Sequence, residues 1–239
     1  MRKTAFIAAL LLLVVGVQAQ ALETAVSKFK IKFYGFIATE AIYDAHGNNG
    51  AELMQWCTSN SKDARDFRIT ARNTRFGLNI SDTDGTSAVI ETDFWGQASP
   101  ASATGAPAGN VDLRLRHAYV KKQFNKFELL AGQTWELMPL EFPGISNSMI
   151  LGYSGCLWSR EPQIRGTFKP AEPLTVALAV TRPTRYLSDN AGTASGKPGY
   201  QGQIQAKIGQ ILLTGAAGYS QWASDTRVKA NCYYYDLGF

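Results

Sequence analysis

The sequence predicts an all-β protein, an antiparallel up-and-down transmembrane β-barrel with about ten strands in this chain. Three observations lead there. The chain opens on an export signal, segment after segment alternates apolar with polar residues, and short turns alternate with long connections along most of its length.

Arg2 and Lys3 precede an apolar run over 5–17, which ends on small residues at Val17-Gln18-Ala19 or Ala19-Gln20-Ala21. These are the charged, apolar and cleavage regions of a secretory signal, in order. An apolar core of about 13 residues is short for a bilayer-spanning helix. Residues 1–20 are therefore expected to be a cleaved signal peptide, and 21–239 a single barrel domain. No cysteine stands at the cleavage site to carry a lipid. Past the signal no stretch approaches the roughly 18 consecutive apolar residues of a spanning helix. A membrane form must then be a closed barrel, because lipid offers no partner to an open strand edge.

The formal net charge of +5 falls to +3 when Arg2 and Lys3 leave with the signal. So small an excess, spread along the chain, is no argument for nucleic-acid binding. Plentiful aromatic residues and interspersed charges exclude disorder. Cys57, Cys156 and Cys232 form no C-x-x-C pair and no His cluster accompanies them, so neither a zinc site nor any cofactor is expected. Cys57 and Cys156 both fall in long connections and could form a disulfide between two loops, leaving Cys232 free.

Taken in order, the strands are expected near 28–44, 66–81, 86–96, 111–123, 126–136, 162–169, 173–182, 199–208, 211–222 and 229–239. In the first, Phe29, Ile31, Phe33, Ile37, Ala41 and Tyr43 oppose Lys28, Lys30, Lys32, Glu40 and Asp44. In the second the apolar phase switches from Phe67 and Ile69 to Phe76, Leu78 and Ile80, which a bulge near 72–74 would explain. In the fourth, Leu113, Leu115 and Tyr119 stand against Arg114 and Arg116. Leu174, Val176, Leu178 and Val180 share one face of the seventh. The eighth is the cleanest, with Tyr200, Ile204, Ala206 and Ile208 opposite Gln201, Gln203, Gln205 and Lys207. A soluble core would rarely leave a polar face so uniform.

The turns at 82–85, 124–126, 169–173 and 208–210 are short and rich in Gly, Pro, Asn and Asp. Between them lie the longer segments 45–65, 97–110, 137–161 and 183–198. A membrane barrel with short periplasmic turns and longer outer loops has this alternation. Aromatic residues near strand ends, among them Tyr43, Trp95, Tyr119, Phe124, Phe127, Trp135, Phe168 and Trp222, suit interfacial girdles.

If the strands close, one face meets lipid and the other a lumen. Arg75, Arg114, Arg116 and Arg165 would then line the pore with Glu91 and Asp93. A basic wall facing an acidic one would select solutes by charge, although the same charges can instead pair across strands. The long segment 137–161 carries Phe142, Met149, Ile150, Leu151, Tyr153, Leu157 and Trp158. Such a loop is expected to fold into the lumen and bring Glu136, Glu141, Arg160 and Glu161 to the constriction. A lid or an intersubunit contact is the other reading.

The strings Phe33-Tyr34-Gly35-Phe36-Ile37, Asn73-Thr74-Arg75-Phe76-Gly77-Leu78, Ala88-Val89-Ile90-Glu91-Thr92-Asp93-Phe94-Trp95-Gly96 and Leu113-Arg114-Leu115-Arg116-His117-Ala118-Tyr119-Val120, with Ala131-Gly132-Gln133-Thr134-Trp135, appear in that order. Over residues 30 to 136 the chain resembles Gram-negative outer-membrane porins, and most closely the anion- or carboxylate-preferring group related to DcaP. The resemblance implies passive diffusion of small hydrophilic or anionic solutes across the outer membrane. It also implies a channel lined by the in-strand arginines and the acids of the third strand, with the third long loop narrowing it. Family members usually form 16-stranded homotrimers from a longer chain, so a chain that stops within a larger barrel is favoured over a complete ten-stranded one.

An enzyme is the rival class, since some outer-membrane barrels are lipases or proteases. The lipase pattern would place a serine two residues after His117, where Tyr119 stands, and His46 beside Asp44 has no second dyad. A secreted soluble β-protein and a plugged structural barrel are the remaining alternatives.

Overall fold

The computed structural model describes residues 29–44, 65–96, 112–138, 159–182, 194–223 and 229–238. The signal segment, His46, Cys57, Glu141 and Cys156 lie outside them. The described strands are β1 (Lys30–Phe36), β2 (Glu40–Asp44), β3 (Asp66–Thr70), β4 (Arg75–Ser81), β5 (Thr86–Asp93), β6 (Arg114–Phe124), β7 (Phe127–Trp135), β8 (Arg160–Ala171), β9 (Leu174–Thr181), β10 (Gly199–Ile208), β11 (Ile211–Ala223) and β12 (Lys229–Gly238). Ten of them form one antiparallel sheet in the order β1-β4-β5-β6-β7-β8-β9-β10-β11-β12, while β2 and β3 pair as a separate hairpin. This is the up-and-down arrangement that the sequence predicts. Its first two strands are each broken in two.

The break explains the phase switch. Residues 71–74 turn between β3 and β4, closed by the Thr74 N–H donating to Ala71 O at 3.0 Å. The Thr74 hydroxyl accepts from Ala38 N at 3.2 Å and lies 3.3 Å from Ala38 O, which stitches the matching break after β1. One local interruption thus moves the apolar set from Phe67 and Ile69 to Phe76, Leu78 and Ile80.

Short connections sit where turn chemistry allows. Asn125 takes φ 50° between the paired Phe124 and Phe127, and Gly209 takes φ 62° between the paired Ile208 and Ile211. In the β4–β5 turn, Asp82 Oδ1 accepts the N–H groups of Asp84 at 2.9 Å and Thr86 at 2.7 Å. The expected turn at 169–173 is tighter than predicted, because β8 runs on to Ala171 and pairs with Leu174.

The burial pattern is inverted relative to a water-soluble sheet. Phe33, Leu178 and Ile204 are exposed at 70%, 66% and 56%, together with Ile31, Ile90, Leu115, Ile164, Tyr233, Tyr235 and Leu237. Buried instead are Thr134, Gln163, Thr181, Gln201, Thr214 and Ser220, with Glu91, Asp93 and Arg116. Alternation dictates this, since residues two apart share a face and the polar set faces inward. The only sizeable core cluster among the described residues joins Leu137 to Ala177 and Ala179. No helix among the described residues is long and apolar enough to cross a membrane, which says nothing about strands.

The aromatic expectation divides. Phe124, Phe127 and Phe168 are exposed side by side on β6, β7 and β8 at the short-turn end, with Phe127 in register with both others. Tyr119 does not share the face of Leu115, because a register shift between Glu91 and Thr92 leaves Arg116 as an extra residue in β6. That bulge reverses the alternation. Tyr119 turns inward against Gly132, where φ is +128° and a Cβ would strike the Ala118 carbonyl and Tyr119. Trp95 is likewise drawn to the interior, donating from Nε1 to Asn73 Oδ1 at 2.9 Å beneath the Arg72 guanidinium.

Candidate functional site

The inner faces of β4, β5 and β6 carry a dense charged ledge. Period two places Glu91 and Asp93 on one face of β5. Arg114 lies opposite Asp93 in register, and the bulge adds Arg116 and then His117 to the same side. A bulge re-aims side chains in this way, so β6 presents three cationic or aromatic nitrogen groups where a regular strand would present two.

Asp93 is almost completely buried. Its Oδ1 accepts from Arg114 Nε at 2.9 Å and Trp95 N at 3.1 Å, and its Oδ2 accepts from Arg114 Nη2 at 2.6 Å and Arg116 Nη1 at 2.9 Å. Arg114 therefore grips Asp93 with two nitrogens, the bidentate geometry that makes such pairs strong. Glu91 accepts from Arg116 Nε at 2.6 Å and from the Tyr34 hydroxyl of β1 at 2.9 Å. Arg75 of β4 completes the group with Nε 3.6 Å from Glu91 Oε1. Tyr34 can reach across because Gly77 lies beneath its ring.

Three guanidiniums against two carboxylates leave one net positive charge on the ledge. The side chains of Arg75 and Arg114 remain 30% and 29% exposed, whereas Asp93 is 2%, Glu91 10% and Arg116 9% exposed. The carboxylates are consumed in holding the arginines. What faces the interior is cationic.

This corrects the expectation of a basic wall facing an acidic one. The opposite charges stand on adjacent strands and pair directly, because Glu91 and Asp93 are in register with β6 rather than across the sheet from it. Arg165 belongs elsewhere on the same wall, on β8, with Nη1 3.4 Å from Trp135 O. Lys121 and Glu128 form a further cross-strand pair at 3.2 Å nearer the short turns.

Of the residues expected at a constriction, Glu136 follows directly on β7 and is buried, while Arg160 and Glu161 begin β8 opposite Trp135 and Thr134. Arg160 stacks over the Trp135 ring at 4.4 Å. The segment after β7 leaves the strand direction and crosses to β10. Leu137 N donates to Gln201 Oε1 at 2.9 Å, Gln201 Nε2 donates to Glu136 Oε2 at 2.9 Å, and Gln203 Nε2 donates to Leu137 O at 2.6 Å. The start of the long loop thus lies on the inner wall.

Sequence reasoning did not single out Tyr34, His117 or the pair Gln201 and Gln203 as site residues. The even polar face of β10 held the signal for the glutamines, but their partners lie 64 to 66 residues away. His117 Nδ1 lies 3.0 Å from Thr134 Oγ1, with its ring edge-on to Trp135. The nearest carboxylate oxygen, Glu91 Oε1, is 3.9 Å from His117 Nε2, beyond hydrogen-bond reach, and Thr134 is buried. The trio packs the wall without forming a hydrogen-bonded nucleophile–base–acid chain. No group of three potential metal ligands occurs among the described residues.

No family model matches the sequence, and no curated protein matches it either. Among solved structures the fold is similar to the outer membrane channel DcaP of Acinetobacter baumannii, with a TM-score of 0.67 and 20% identity. The likeness covers 89% of this chain and 59% of that one. At that identity it shows a porin-like fold, and this chain spans less than two thirds of the channel's length.

Proposed function

We propose that the protein is an outer-membrane porin that lets small hydrophilic solutes, anions in preference, diffuse passively through a water-filled lumen. The observation that carries this reading is the inverted sheet. An outward face of Phe33, Leu178, Ile204, Tyr235 and Leu237 would aggregate in water and is solvated by lipid chains, whereas Gln, Thr and paired charges suit a wet interior. Six of the eight strands from β5 to β12 have 9 to 13 residues and meet the length that a tilted membrane strand needs, with β5 and β9 one residue short at 8. The solved channel that shares the fold is an outer-membrane one, which supports the same location here.

Selectivity in this reading comes from the ledge, with no covalent step and no cofactor. Arg75 and Arg114 offer the accessible positive surface, and Glu91 and Asp93 fix where those guanidiniums point. Lipid closes over the apolar wall. The border strands β1 and β12 must find backbone partners there, since unpaired edges are not tolerated in hydrocarbon.

Detergent-folded protein reconstituted into liposomes should make them swell in isosmotic solutions of small hydrophilic solutes, and faster with monoanions than with cations of equal size. Liposomes that hold folded protein in their membrane and do not swell would overturn the reading.

A further inference from the structure

The outer face of β9 to β12 is grooved where the rest of the apolar wall is bulky. Gly202, Gly215 and Ala217 form the floor, Leu178 one bank, and Tyr235 and Leu237 the other, with a volume of about 560 Å³. Cross-strand register aligns Leu178, Gly202, Ala217 and Tyr235 in a single row. A Cβ on Gly202 would lie 3.3 Å from Leu178 Cδ2, and one on Gly215 would lie 3.4 Å from Leu237 Cδ2. Each bank therefore leans over its glycine, and the groove is as deep as it is because those two residues have no side chain.

Two positions toward the long-connection end, the same face carries Tyr200, Tyr219 and Tyr233 in register, the last two rings 5.2 Å apart. Beyond them stand Gln221, Asn231 and Lys229. Asn231 Oδ1 accepts from the Tyr219 hydroxyl at 3.0 Å and from Gln221 Nε2 at 2.9 Å, so the Asn231 amide nitrogen keeps both hydrogens to donate. Gln221 is 8% exposed, and its Oε1 has no hydrogen-bond partner among the described residues. Lys229 is exposed, and the described residues at this end of β9 to β12, 180–182, 194–200, 219–223 and 229–233, include no carboxylate. Along β12 the outer face thus changes from cation through amide and tyrosine to hydrocarbon.

Lys229 stands six residues before Tyr235, about 20 Å along the strand at about 3.4 Å per residue. A strand tilt of about 40° turns this into about 15 Å along the membrane normal, half of a hydrocarbon core of roughly 30 Å. Headgroup and chain end of a lipid in one leaflet are separated by the same distance. We propose that the groove holds an acyl chain of one anionic lipid, from the leaflet on the long-connection side, whose headgroup carries a phosphate and hydroxyls. Lys229 and Asn231 donate to the phosphate, and Gln221 Oε1 accepts from a hydroxyl. The site rests on the outer-membrane porin reading, which puts this face in lipid, and adds a lipid class to it. A second copy of the chain fits the face less well, because a two-fold axis along the membrane normal would set Lys229 beside its own counterpart.

Native mass spectrometry of detergent-folded protein, mixed with phosphatidylglycerol or with phosphatidylcholine of the same acyl chains, counts the lipids retained. One phosphatidylglycerol should be held per chain, about tenfold more tightly than phosphatidylcholine. Lys229→Gln should abolish that preference, and Lys229→Arg should keep it. Ala217→Leu, which fills the groove, should weaken retention of both lipids about tenfold. Ala217 and Lys229 are both exposed, so neither change disturbs the packing of the sheet. Equal retention of the two lipids by the native protein, or retention that neither Lys229→Gln nor Ala217→Leu alters, would overturn the site. An oligomer that Ala217→Leu breaks while lipid retention holds would make the groove a contact between copies and overturn it as well. Lipid retained as expected by a protein that never makes liposomes swell would sink the porin reading and keep the lipid site.

Discussion

Replacing Arg75 and Arg114 by glutamine removes the two guanidiniums that the ledge leaves accessible and keeps Arg116 in place between Glu91 and Asp93. The expected effect follows from Coulomb's law. A solute ion passing about 6 Å from one of these charges in a water-like medium gains or loses about 0.7 kcal/mol. Screening at about 0.1 M salt, where the Debye length is about 10 Å, reduces this to about 0.4 kcal/mol. That is about a twofold factor for an anion and the opposite factor for a cation, so each arginine moves the permeability ratio between threefold and fourfold, roughly. The pair should move it toward cations by about tenfold. Zero-current potentials across planar bilayers under a salt gradient read the ratio directly. At about 1 M salt the Debye length is about 3 Å and the shift should almost vanish. A ratio unchanged at low salt, or a shift that persists undiminished at high salt, would refute the electrostatic role given to these residues.

Other expected outcomes are structural. Asp93→Ala leaves Arg114 and Arg116 without their shared buried partner and should destabilise the folded protein by about 3–5 kcal/mol, read from urea unfolding in detergent. Leu178→Arg, on the apolar face, should cost about 2–4 kcal/mol in a bilayer, while Thr175→Arg on the inner face of the same strand should cost much less; equal costs would contradict the assignment of faces. The Asp82 carboxyl, in the β4–β5 turn, is held below the ordinary carboxylate range by hydrogen bonds from Thr86 first, then Asp84, with Lys122 nearby. Its contribution to the turn is therefore complete above the ordinary carboxylate pKa and is lost as pH falls through the lowered value. A titration following the Thr86 amide by nuclear magnetic resonance should show that acid transition in the native protein and lose it in Asp82→Asn.

The strands were legible because membrane-wall alternation is a strong, local signal. Gln201, Gln203 and Gln205 against Tyr200, Ile204 and Ile208 could be read without any partner strand, and their placement holds in the structure. Arg114, Arg116, Glu91 and Asp93 were also put on the correct face. What alternation cannot convey is register. The bulge at Arg116 is one residue long and has no composition of its own, so Tyr119 was assigned to the wrong side and His117 to no side at all. For the same reason, charges that pair directly between β5 and β6 were expected on opposing walls. Long-range contacts escaped altogether: Tyr34 meets Glu91 from 57 residues away, and the Gln201 grip on Glu136 spans 65. Such contacts depend on how far the sheet curves, which no short stretch of sequence encodes.

The central claim is that the polar face of this sheet borders water that connects the two sides of a membrane. Single-channel recording of the detergent-folded native protein in planar bilayers tests it most directly. Stepwise conductance with a zero-current potential of the anion-selective sign is the predicted result. Folded protein that inserts without conducting would contradict it, whereas conduction with cation preference would keep the water path and overturn the role given to Arg75 and Arg114.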